Sequence, residues 1–278
     1  MNEQELIKYY NKFNEEKRLN TRHGQVEFLT SIKYINHYLK EFKNPNIIDI
    51  GAGAGKYSEY LANKGYDVTA VELIKHNVRK IEALNLNIKV IQANAIDLKK
   101  IKDESYDITL LFGPMYHLIT KEEKISALNE AKRITKKGGI IMVAYCMNDY
   151  AIITHGFKDN NIISCIKNGE LDENFHCTPK NFDLYSMVRL EDIDELNNVV
   201  SLKRIKIISP DGPANYMRST LNKMDDETFK IFLDYHFKTC ERLDLIGAAY
   251  HTLDILRKEW KKPNGFFLFI YFFQFNTY

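Results

Sequence analysis

The chain has 278 residues, of which 45% are hydrophobic and 27% are charged, and its formal net charge is +2. This length suits one large α/β domain or two small ones, with a substantial core, and the near-neutral charge gives no indication of a nucleic-acid or other polyanionic partner. No apolar run approaches the roughly 20 residues that span a bilayer, the polar N terminus lacks the apolar segment of a signal peptide, and the four scattered cysteines match no metal-binding pattern. These features predict a cytoplasmic protein without a metal site or a membrane partner.

Two helices are predicted at the N terminus, over residues 3–15 and 25–42, because apolar residues recur there at steps of three and four. Their apolar faces consist of Leu6, Tyr9, Tyr10 and Phe13 in the first helix and Phe28, Ile32, Ile35, Leu39 and Phe42 in the second. Arg22 and His23 fall in the predicted loop between the two helices. We expect these helices to fold over the rest of the domain as a lid.

Strands and helices then alternate along the chain. The predicted strands are 46–50, 66–72, 88–94, 106–113, 140–145, 202–209 and 250–258, and the predicted helices include 56–64, 75–84, 225–240 and one that begins with Thr120 and Glu123 in capping-box spacing and ends in "KKGG". This alternation predicts a doubly wound, mostly parallel seven-stranded sheet with helices on both faces. Ligands bind such sheets at the carboxyl ends of the strands.

The whole chain, 1–278, is predicted to form a single domain. Its predicted divisions are an N-terminal helical lid (1–45), a cofactor-binding core (46–146), an insertion covering the substrate site (147–200), the C-terminal strands and helix (201–260) and an aromatic tail (261–278). The tail is too short to span a membrane and too aromatic to remain solvated, so we expect it to pack on this fold or on a partner chain. Self-association into a homo-oligomer is therefore left open.

Three glycines separate the first strand from the helix that follows it, in "IIDIGAGAGKYSEYL" (47–61). Gly51, Gly53 and Gly55 let a ligand approach the backbone closely, and the start of the next helix favours an anionic group. A dinucleotide-binding fingerprint would have its third glycine where this chain has Lys56. Glu72 ends the second strand, and a carboxylate there can hold both hydroxyls of a ribose. The pattern predicts a ligand that contains adenosine.

Five segments in order resemble the motifs of the Rossmann-like, class I S-adenosylmethionine-dependent methyltransferases. They are "IIDIGAGAGKYSEYLA", "VTAVEL", "QANAIDL", "YDITLLFGPMYHL" and "AKRITKKGGIIMVAY". The resemblance covers residues 46–146 and, more weakly, the last two predicted strands. It implies a methyltransferase that uses S-adenosyl-L-methionine to methylate an O or N atom of a small molecule.

The resemblance also implies where the methionine and ribose parts of the cofactor bind. Asp49 and the backbone of Gly51, Ala52 and Gly53 would face the methionine part. Glu72 would bind the ribose. Phe112 and Gly113 would lie beside the methionyl side chain.

The adenine contacts follow in the same way from the resemblance. Leu73 would pack against the ring, and Asn94 and Ala95 would meet its edge. Many members of the family have Asp at the position of Asn94. An Asn oxygen can still accept a hydrogen bond from the adenine amino group, and the nearby Asp97 is an alternative partner.

Candidate catalytic and substrate-binding residues lie outside these motifs or at their ends. His117 is a candidate general base because an imidazole titrates near neutrality, although it could instead orient a loop by hydrogen bonding. Tyr116 would shape the pocket. Arg22 is expected to pair with a carboxylate of the cofactor or substrate, and Tyr185 and Arg189 are expected to contact the substrate from the insertion.

The last predicted strand adds two further candidates, Tyr250 and His251, which would contact the substrate. Several other functions remain open at this point: methylation of RNA or protein, nicotinamide-dependent oxidoreduction, and non-catalytic binding of S-adenosylmethionine. The missing third glycine argues against the oxidoreductase, and the near-neutral charge argues against RNA. Methyl transfer to a small molecule is therefore the preferred hypothesis.

Overall fold

The structure is a computed structural model that describes residues 6–8, 19–180 and 183–259. Its strands are β1 (Asn46–Ile50), β2 (Asp67–Glu72), β3 (Ile88–Gln92), β4 (Tyr106–Leu111), β5 (Thr135–Cys146), β6 (Lys203–Ile208) and β7 (His251–Arg257). Its α-helices are α1 (Arg22–Leu39), α2 (Lys56–Asn63), α3 (Lys75–Glu82), α4 (Lys121–Ile134), α5 (Asn148–Ala151), α6 (Ile162–Lys167), α7 (Leu190–Val200), α8 (Arg218–Leu221), α9 (Asp226–Thr239) and α10 (Leu243–Ile246). A 3₁₀ turn at Pro114–Tyr116 and a π-helical segment at Ile152–Lys158 complete the regular elements of this part of the chain.

The seven strands form one mixed sheet in the order β3-β2-β1-β4-β5-β7-β6. Strands β1 to β5 are parallel, whereas β7 runs antiparallel to both of its neighbours, β5 and β6. The chain proceeds outward from β1 to β2 and β3 and then returns to place β4 on the other side of β1. Such a reversal opens a crevice between the carboxyl ends of the two central strands, which is where ligands bind in sheets of this type.

Alternating residues of the central strands pack into two hydrophobic cores on opposite faces of the sheet. On one face, Ile48 and Leu111 belong to a cluster that includes Leu128 of α4 and Ile193 of α7. On the other face, strand residues such as Ile108 pack with residues of α1 and α2. The predicted helix-covered sheet is therefore confirmed. None of the described helices is both long and apolar enough to cross a membrane.

The N-terminal part of the chain differs from the prediction in one respect. Arg22 and His23 do not lie in a loop, because α1 begins at Arg22. The Thr21 hydroxyl accepts a hydrogen bond from the Gly24 backbone N–H at 3.3 Å and so caps the helix three residues earlier than the apolar stripe suggested. Of the predicted helix over 3–15, only the helical residues 6–8 are described. Tyr9, Tyr10 and Phe13 lie outside the described residues, as does the aromatic tail.

The glycine pair before β5 also has a different role from the predicted helix end. The capping box of α4 is confirmed, but the helix stops at Ile134 and "TKKGG" belongs to the first half of β5. The pairing of β4 with β5 is irregular between Tyr106 and Ile108. A Cβ on Gly139 would lie 2.9 Å from the carbonyl oxygen of Asp107. The glycine therefore allows β4 to pass close to an irregular stretch of β5.

Candidate functional site

A pocket opens at the carboxyl ends of β1 to β4, where the topology predicts a ligand. It encloses about 970 Å³, its open mouth included. Its lining residues are Leu6, Leu19, Glu27, Asp49, Gly51, Ala52, Gly53, Ala54, Lys56, Tyr57, Glu72, Leu73, Ile74, Ala93, Asn94, Ala95, Phe112, Gly113, Pro114, Tyr116, His117 and Leu118. Every predicted cofactor-binding residue except Arg22 lies in this wall. We call it the main pocket.

Gly51 and Gly113 allow two loops at the floor of the main pocket to touch. Gly51 has a φ of +72°, and a Cβ there would lie 2.5 Å from Cδ of Pro114. A Cβ on Gly113 would lie 2.7 Å from the carbonyl oxygen of Gly51. The sequence suggested that Gly51 clears space for a ligand, but in the structure Gly51 and Gly113 first allow the loop after β1 to pack against the loop after β4.

Glu72 holds the glycine loop from the neighbouring strand. Its two carboxylate oxygens accept hydrogen bonds from the backbone N–H groups of Gly53 and Ile74, each at 2.8 Å. Burial raises the pKa of Glu72, although these two hydrogen bonds act in the opposite direction. A carboxylate has about four acceptor positions, so capacity remains for ribose hydroxyls at the pocket surface. Glu72 thus has a structural role that its position in the sequence did not reveal.

Asp49 is a buried carboxylate at the base of the main pocket and is 1% exposed. Its Oδ2 accepts a hydrogen bond from the Ser58 hydroxyl at 2.7 Å. Burial raises the pKa of Asp49 to about 6, with the hydrogen bonds from Ser58 opposing the shift. Keeping this charge unpaired by a cation is costly to the folded state. A buried charge that lowers stability is typical of a functional residue. The Asp49 carboxylate therefore offers a binding position for a cationic group of a ligand.

The end of the main pocket beyond β2 and β3 has an apolar surface. Leu73 and Ala95 line it, as does Asn94. The Oδ1 of Asn94 accepts a hydrogen bond from the Ile96 backbone N–H at 3.2 Å, which fixes the side-chain orientation. The suggested alternative partner, Asp97, is not among the lining residues, and its carboxylate lies 3.4 Å from Lys99 on the surface. The structure therefore corrects the suggestion that Asp97 substitutes for Asn94 at this edge.

Aromatic rings form the opposite end of the main pocket. The rings of Phe112 and Tyr57 meet edge to face with their centroids 4.9 Å apart. The Tyr116 ring lies 4.7 Å from the imidazole of His117 and 5.9 Å from the Tyr185 ring. Such rings attract a cationic group placed over their faces.

His117 is more a structural residue than a base. Its Nδ1 lies 2.8 Å from the carbonyl oxygen of Leu184, which can only accept, so the proton resides on Nδ1. Burial lowers the pKa of His117 to about 4. An imidazole of such low basicity is a weak proton acceptor at neutral pH. The geometry favours the alternative in which His117 ties the loop after β4 to the insertion.

Two predicted arginines lie away from the main pocket. Arg22 donates to the carboxylate of Asp226 at 2.7 Å and to the backbone carbonyl of Asp225 at 3.1 Å, so it joins α1 to α9 instead of reaching a ligand. Arg189 donates to the backbone carbonyls of Asn174 and Phe175 and so fixes a loop of the insertion. Both residues are corrections to the predicted site. The structure gives each charge a partner elsewhere.

Tyr185 contacts the site only indirectly. It does not line the main pocket, but its ring packs 5.1 Å from the His117 ring and 5.9 Å from the Tyr116 ring, and both of these residues do line the pocket.

A smaller pocket adjoins the main pocket on the side of α1 and β7. It is lined by Glu27, Ser31, Tyr57, Phe112, Tyr116, Ala144, Pro210, His251 and Leu253. Four residues lie in the walls of both pockets: Glu27, Tyr57, Phe112 and Tyr116. The sequence predicted His251 here but missed Glu27 and Ser31. Glu27 and Ser31 are four residues apart on α1 and therefore share one helix face. A charged residue on a helix that is otherwise largely buried is the signal by which they can be found.

Comparison with known proteins finds a family model that matches part of the chain. A model of a family described as "Methyltransferase domain" matches residues 48–143, which contain most of β1, all of β2 to β4 and α4, and most of β5. Residues 48–143 are therefore similar to a methyltransferase domain. A search of curated protein sequences found no match to the chain.

Solved structures share the fold of this chain. An S-adenosylmethionine-dependent methyltransferase from Methanosarcina mazei has a TM-score of 0.54 at 16% identity, with 81% of this chain and 97% of that chain covered. A possible histamine N-methyltransferase from Thermotoga maritima has a TM-score of 0.54 at 16% identity, with 90% of this chain and 98% of that chain covered. The CcbJ methyltransferase from Streptomyces caelestis has a TM-score of 0.55 at 12% identity, covering 92% and 96%. At such identities the likeness concerns the fold alone.

Proposed function

We propose that this chain is a methyltransferase that binds S-adenosyl-L-methionine in the main pocket and methylates an O or N atom of a small molecule in the smaller pocket. The observation that carries the proposal is the shared wall. Tyr57, Phe112, Tyr116 and Glu27 line both pockets, so a group held in one meets a group held in the other. Bound there, the cofactor supplies a methyl group on a positively charged sulfur.

The residues of the main pocket fit this cofactor. Glu72 offers carboxylate oxygens to the ribose, and Leu73 and Ala95 offer an apolar surface to the adenine. Buried Asp49 offers a negative charge to the ammonium of the methionine part, which would offset the cost of its burial. Phe112 offers a ring to the sulfonium.

The chain contributes chiefly by positioning the reacting groups. Alignment of an acceptor atom with the methyl and sulfur atoms can lower a barrier by roughly 7–11 kcal/mol. The rigid contact between the loops after β1 and β4, through Gly51 and Pro114, fixes the floor on which this alignment depends. The departing thioether is neutral, so no residue has to act as an acid.

Glu72→Ala tests the cofactor assignment. Loss of the carboxylate removes the expected ribose contact and two hydrogen bonds to the glycine loop. Hydrogen bonds to charged groups contribute about 1.5–3 kcal/mol each, so we expect the Kd for S-adenosylhomocysteine in titration calorimetry to rise by at least about tenfold. Glu122→Ala, an exposed position on α4, is the matched control. An unchanged Kd in the Glu72 variant would refute the ribose role.

The acceptor assignment needs product analysis. The protein is incubated with isotopically labelled S-adenosylmethionine and a small-molecule library, and labelled products are identified by mass spectrometry. Labelled small molecules support the proposal. Label found only in added RNA or protein, or tight cofactor binding without any transfer, would contradict it.

A further inference from the structure

Three ionisable side chains, Glu27, Asp211 and His251, form a cluster at the smaller pocket. Glu27 and His251 line the pocket, and Asp211 lies behind His251. The Nδ1 of His251 lies 2.8 Å from Oδ2 of Asp211 and 3.5 Å from Oε2 of Glu27. All three are shielded from solvent: Asp211 is fully buried, His251 is 6% exposed, and the Glu27 side chain is 13% exposed. Burial of two carboxylates and one imidazole is costly and calls for a function.

Strand direction explains why these residues meet. His251 begins β7, which is antiparallel to β5, so it pairs with Cys146 at the end of β5. It therefore lies at the same sheet edge as the carboxyl ends of β1 and β4. Asp211 follows the end of β6, which is also antiparallel to β7, and arrives at the same edge.

Asp211 is held in one orientation by several donors. Its Oδ2 accepts from the Asn215 side-chain amide at 2.7 Å and from His251 Nδ1. Its Oδ1 accepts from the backbone N–H of His251 at 3.2 Å. This arrangement keeps the Nδ1 proton of His251 directed at Asp211 and leaves Nε2 as the nitrogen that can exchange a proton with a ligand. Among the described residues, Nε2 has no hydrogen-bond partner.

The charge of the smaller pocket favours a cation. Its described lining residues include two acidic or basic side chains, Glu27 and His251, and no lysine or arginine. With Asp211 directly behind His251, the cluster carries a net charge of −1 when the imidazole is protonated and −2 when it is neutral. The rings of Tyr57, Phe112 and Tyr116 complete the wall and also favour a cationic group.

We propose that the smaller pocket binds a small amine as the methyl acceptor, with Glu27 binding its N–H groups and His251, oriented by Asp211, accepting its proton. This inference rests on the proposed function, since it requires the cofactor to lie in the main pocket.

The reaction balances without a further reactant. The ammonium form of the acceptor gives one proton to Nε2 of His251 and regains its nitrogen lone pair. That lone pair forms the new N–C bond as the S–C bond breaks, and the electrons of the broken bond remain on sulfur, which becomes a neutral thioether. The product leaves as a methylated ammonium ion, and His251 then releases its proton to solvent.

Substrate specificity is tested with matched sets of small molecules in which an amine is replaced by the corresponding alcohol or carboxylic acid. With S-adenosylmethionine bound, we expect labelled methyl groups on amines only. Methylation confined to alcohols or acids, or no amine binding to the S-adenosylhomocysteine complex, would overturn the amine proposal while leaving cofactor binding intact. Failure of S-adenosylhomocysteine itself to bind would instead refute the proposed function.

The roles of the side chains are tested with His251→Gln and Glu27→Gln, with Glu122→Gln as the exposed control. A general base contributes about 10²–10⁴-fold, so His251→Gln should lower kcat by at least about 100-fold while the Kd for S-adenosylhomocysteine stays within about twofold. Glu27→Gln should mainly raise KM for the amine. A parallel loss of cofactor binding and thermal stability in His251→Gln would show a structural role and overturn the proposal.

The pH profile provides a signature that a structural role would not produce. Burial lowers the pKa of His251, but the negative charges of Glu27 and Asp211 outweigh this effect and hold the pKa well above its usual range. Cys146 on β5 and the rings of Tyr116 and Tyr250 are the other titratable groups that face it. Because only the neutral imidazole accepts a proton, kcat/KM should rise with pH through this raised pKa. Glu27→Gln removes one negative charge and should move the rise to lower pH with the same amine.

A bound metal ion is the competing explanation, since the three donor atoms lie within 4.8 Å of one another. Treatment of the protein with EDTA followed by dialysis distinguishes metal binding from proton transfer by His251. Full retention of activity supports the proton-transfer role. Loss of activity that added Mg²⁺ or Zn²⁺ restores would overturn it.

Discussion

Asp49 illustrates how this site retains a residue that lowers the stability of the empty protein. Its pKa of about 6 lies above the ordinary value of 3.8 because of burial. The folded protein therefore holds the Asp49 proton more tightly than the unfolded chain does. As pH rises from about 4 to about 6 the unfolded chain loses this proton first, so the free energy of unfolding falls, and the full cost of the buried charge applies above that range. Ligand ammonium binding would recover this cost. Residues of this kind are expected where function outweighs stability.

Asp49→Asn separates the two effects. The amide oxygen can still accept the Ser58 hydrogen bond but carries no charge. Relative to the native protein, we expect the free energy of unfolding of the variant to increase by roughly 2 kcal/mol between pH 4.5 and pH 8. Denaturant titrations at the two pH values measure this change. At pH 8 the affinity for S-adenosylhomocysteine should fall in the same variant, and a variant that binds it normally would contradict the assigned role.

At the scale of elements, the site depends on contact between two loops, the one after β1 and the one after β4. Gly51 combines a left-handed backbone with a contact that a Cβ would occupy, 2.5 Å from Pro114. Gly65, at the end of α2, has a similar φ of +85° but no atom within 4 Å of its Cβ position. The two glycines therefore differ in packing alone.

Gly51→Ala and Gly65→Ala form a matched pair. Both variants carry the cost of about 1–2 kcal/mol for a left-handed non-glycine residue, and Gly51→Ala adds about 1–3 kcal/mol for the overlap with Pro114. Urea unfolding should show the larger loss in Gly51→Ala. Calorimetry should show weaker binding of S-adenosylhomocysteine in that variant only. Equal losses in the two variants would mean that the loop contact is unimportant.

At the scale of the whole molecule, sequence patterns correctly predicted the features that depend on residues close together in the sequence. The bounds of β1 and the capping box at Thr120 follow from short-range hydrogen bonding and backbone conformation, and both are confirmed. The pocket residues from the first four strands were predicted because parallel strands bring their carboxyl ends together.

The remaining errors concern contacts between distant parts of the chain. Arg22 was expected to contact a ligand, whereas its side chain bonds to Asp226. These two residues lie 204 positions apart in the sequence, so no local pattern predicts their contact. Glu27 was missed for the same reason, since its contact with His251 depends on the antiparallel insertion of β7 between β5 and β6. Charged side chains take whichever partner the tertiary fold provides, and their roles are therefore the least predictable.

Ligand-dependent thermal stability tests the whole-molecule assignment and the oxidoreductase alternative together. A ligand at about 100 times its Kd stabilises the folded state by about 2.7 kcal/mol, which corresponds to a rise in Tm of about 5–8 °C for a domain of this size. We expect this shift with S-adenosylhomocysteine and none with NADH at the same concentration, because Lys56 stands where the dinucleotide fingerprint has its third glycine. The shift should be largest near and above pH 7, where Asp49 is ionised in the empty protein and gains most from a bound ammonium group. A shift with NADH alone would place the chain among the oxidoreductases in function despite its similarity to a methyltransferase domain over residues 48–143.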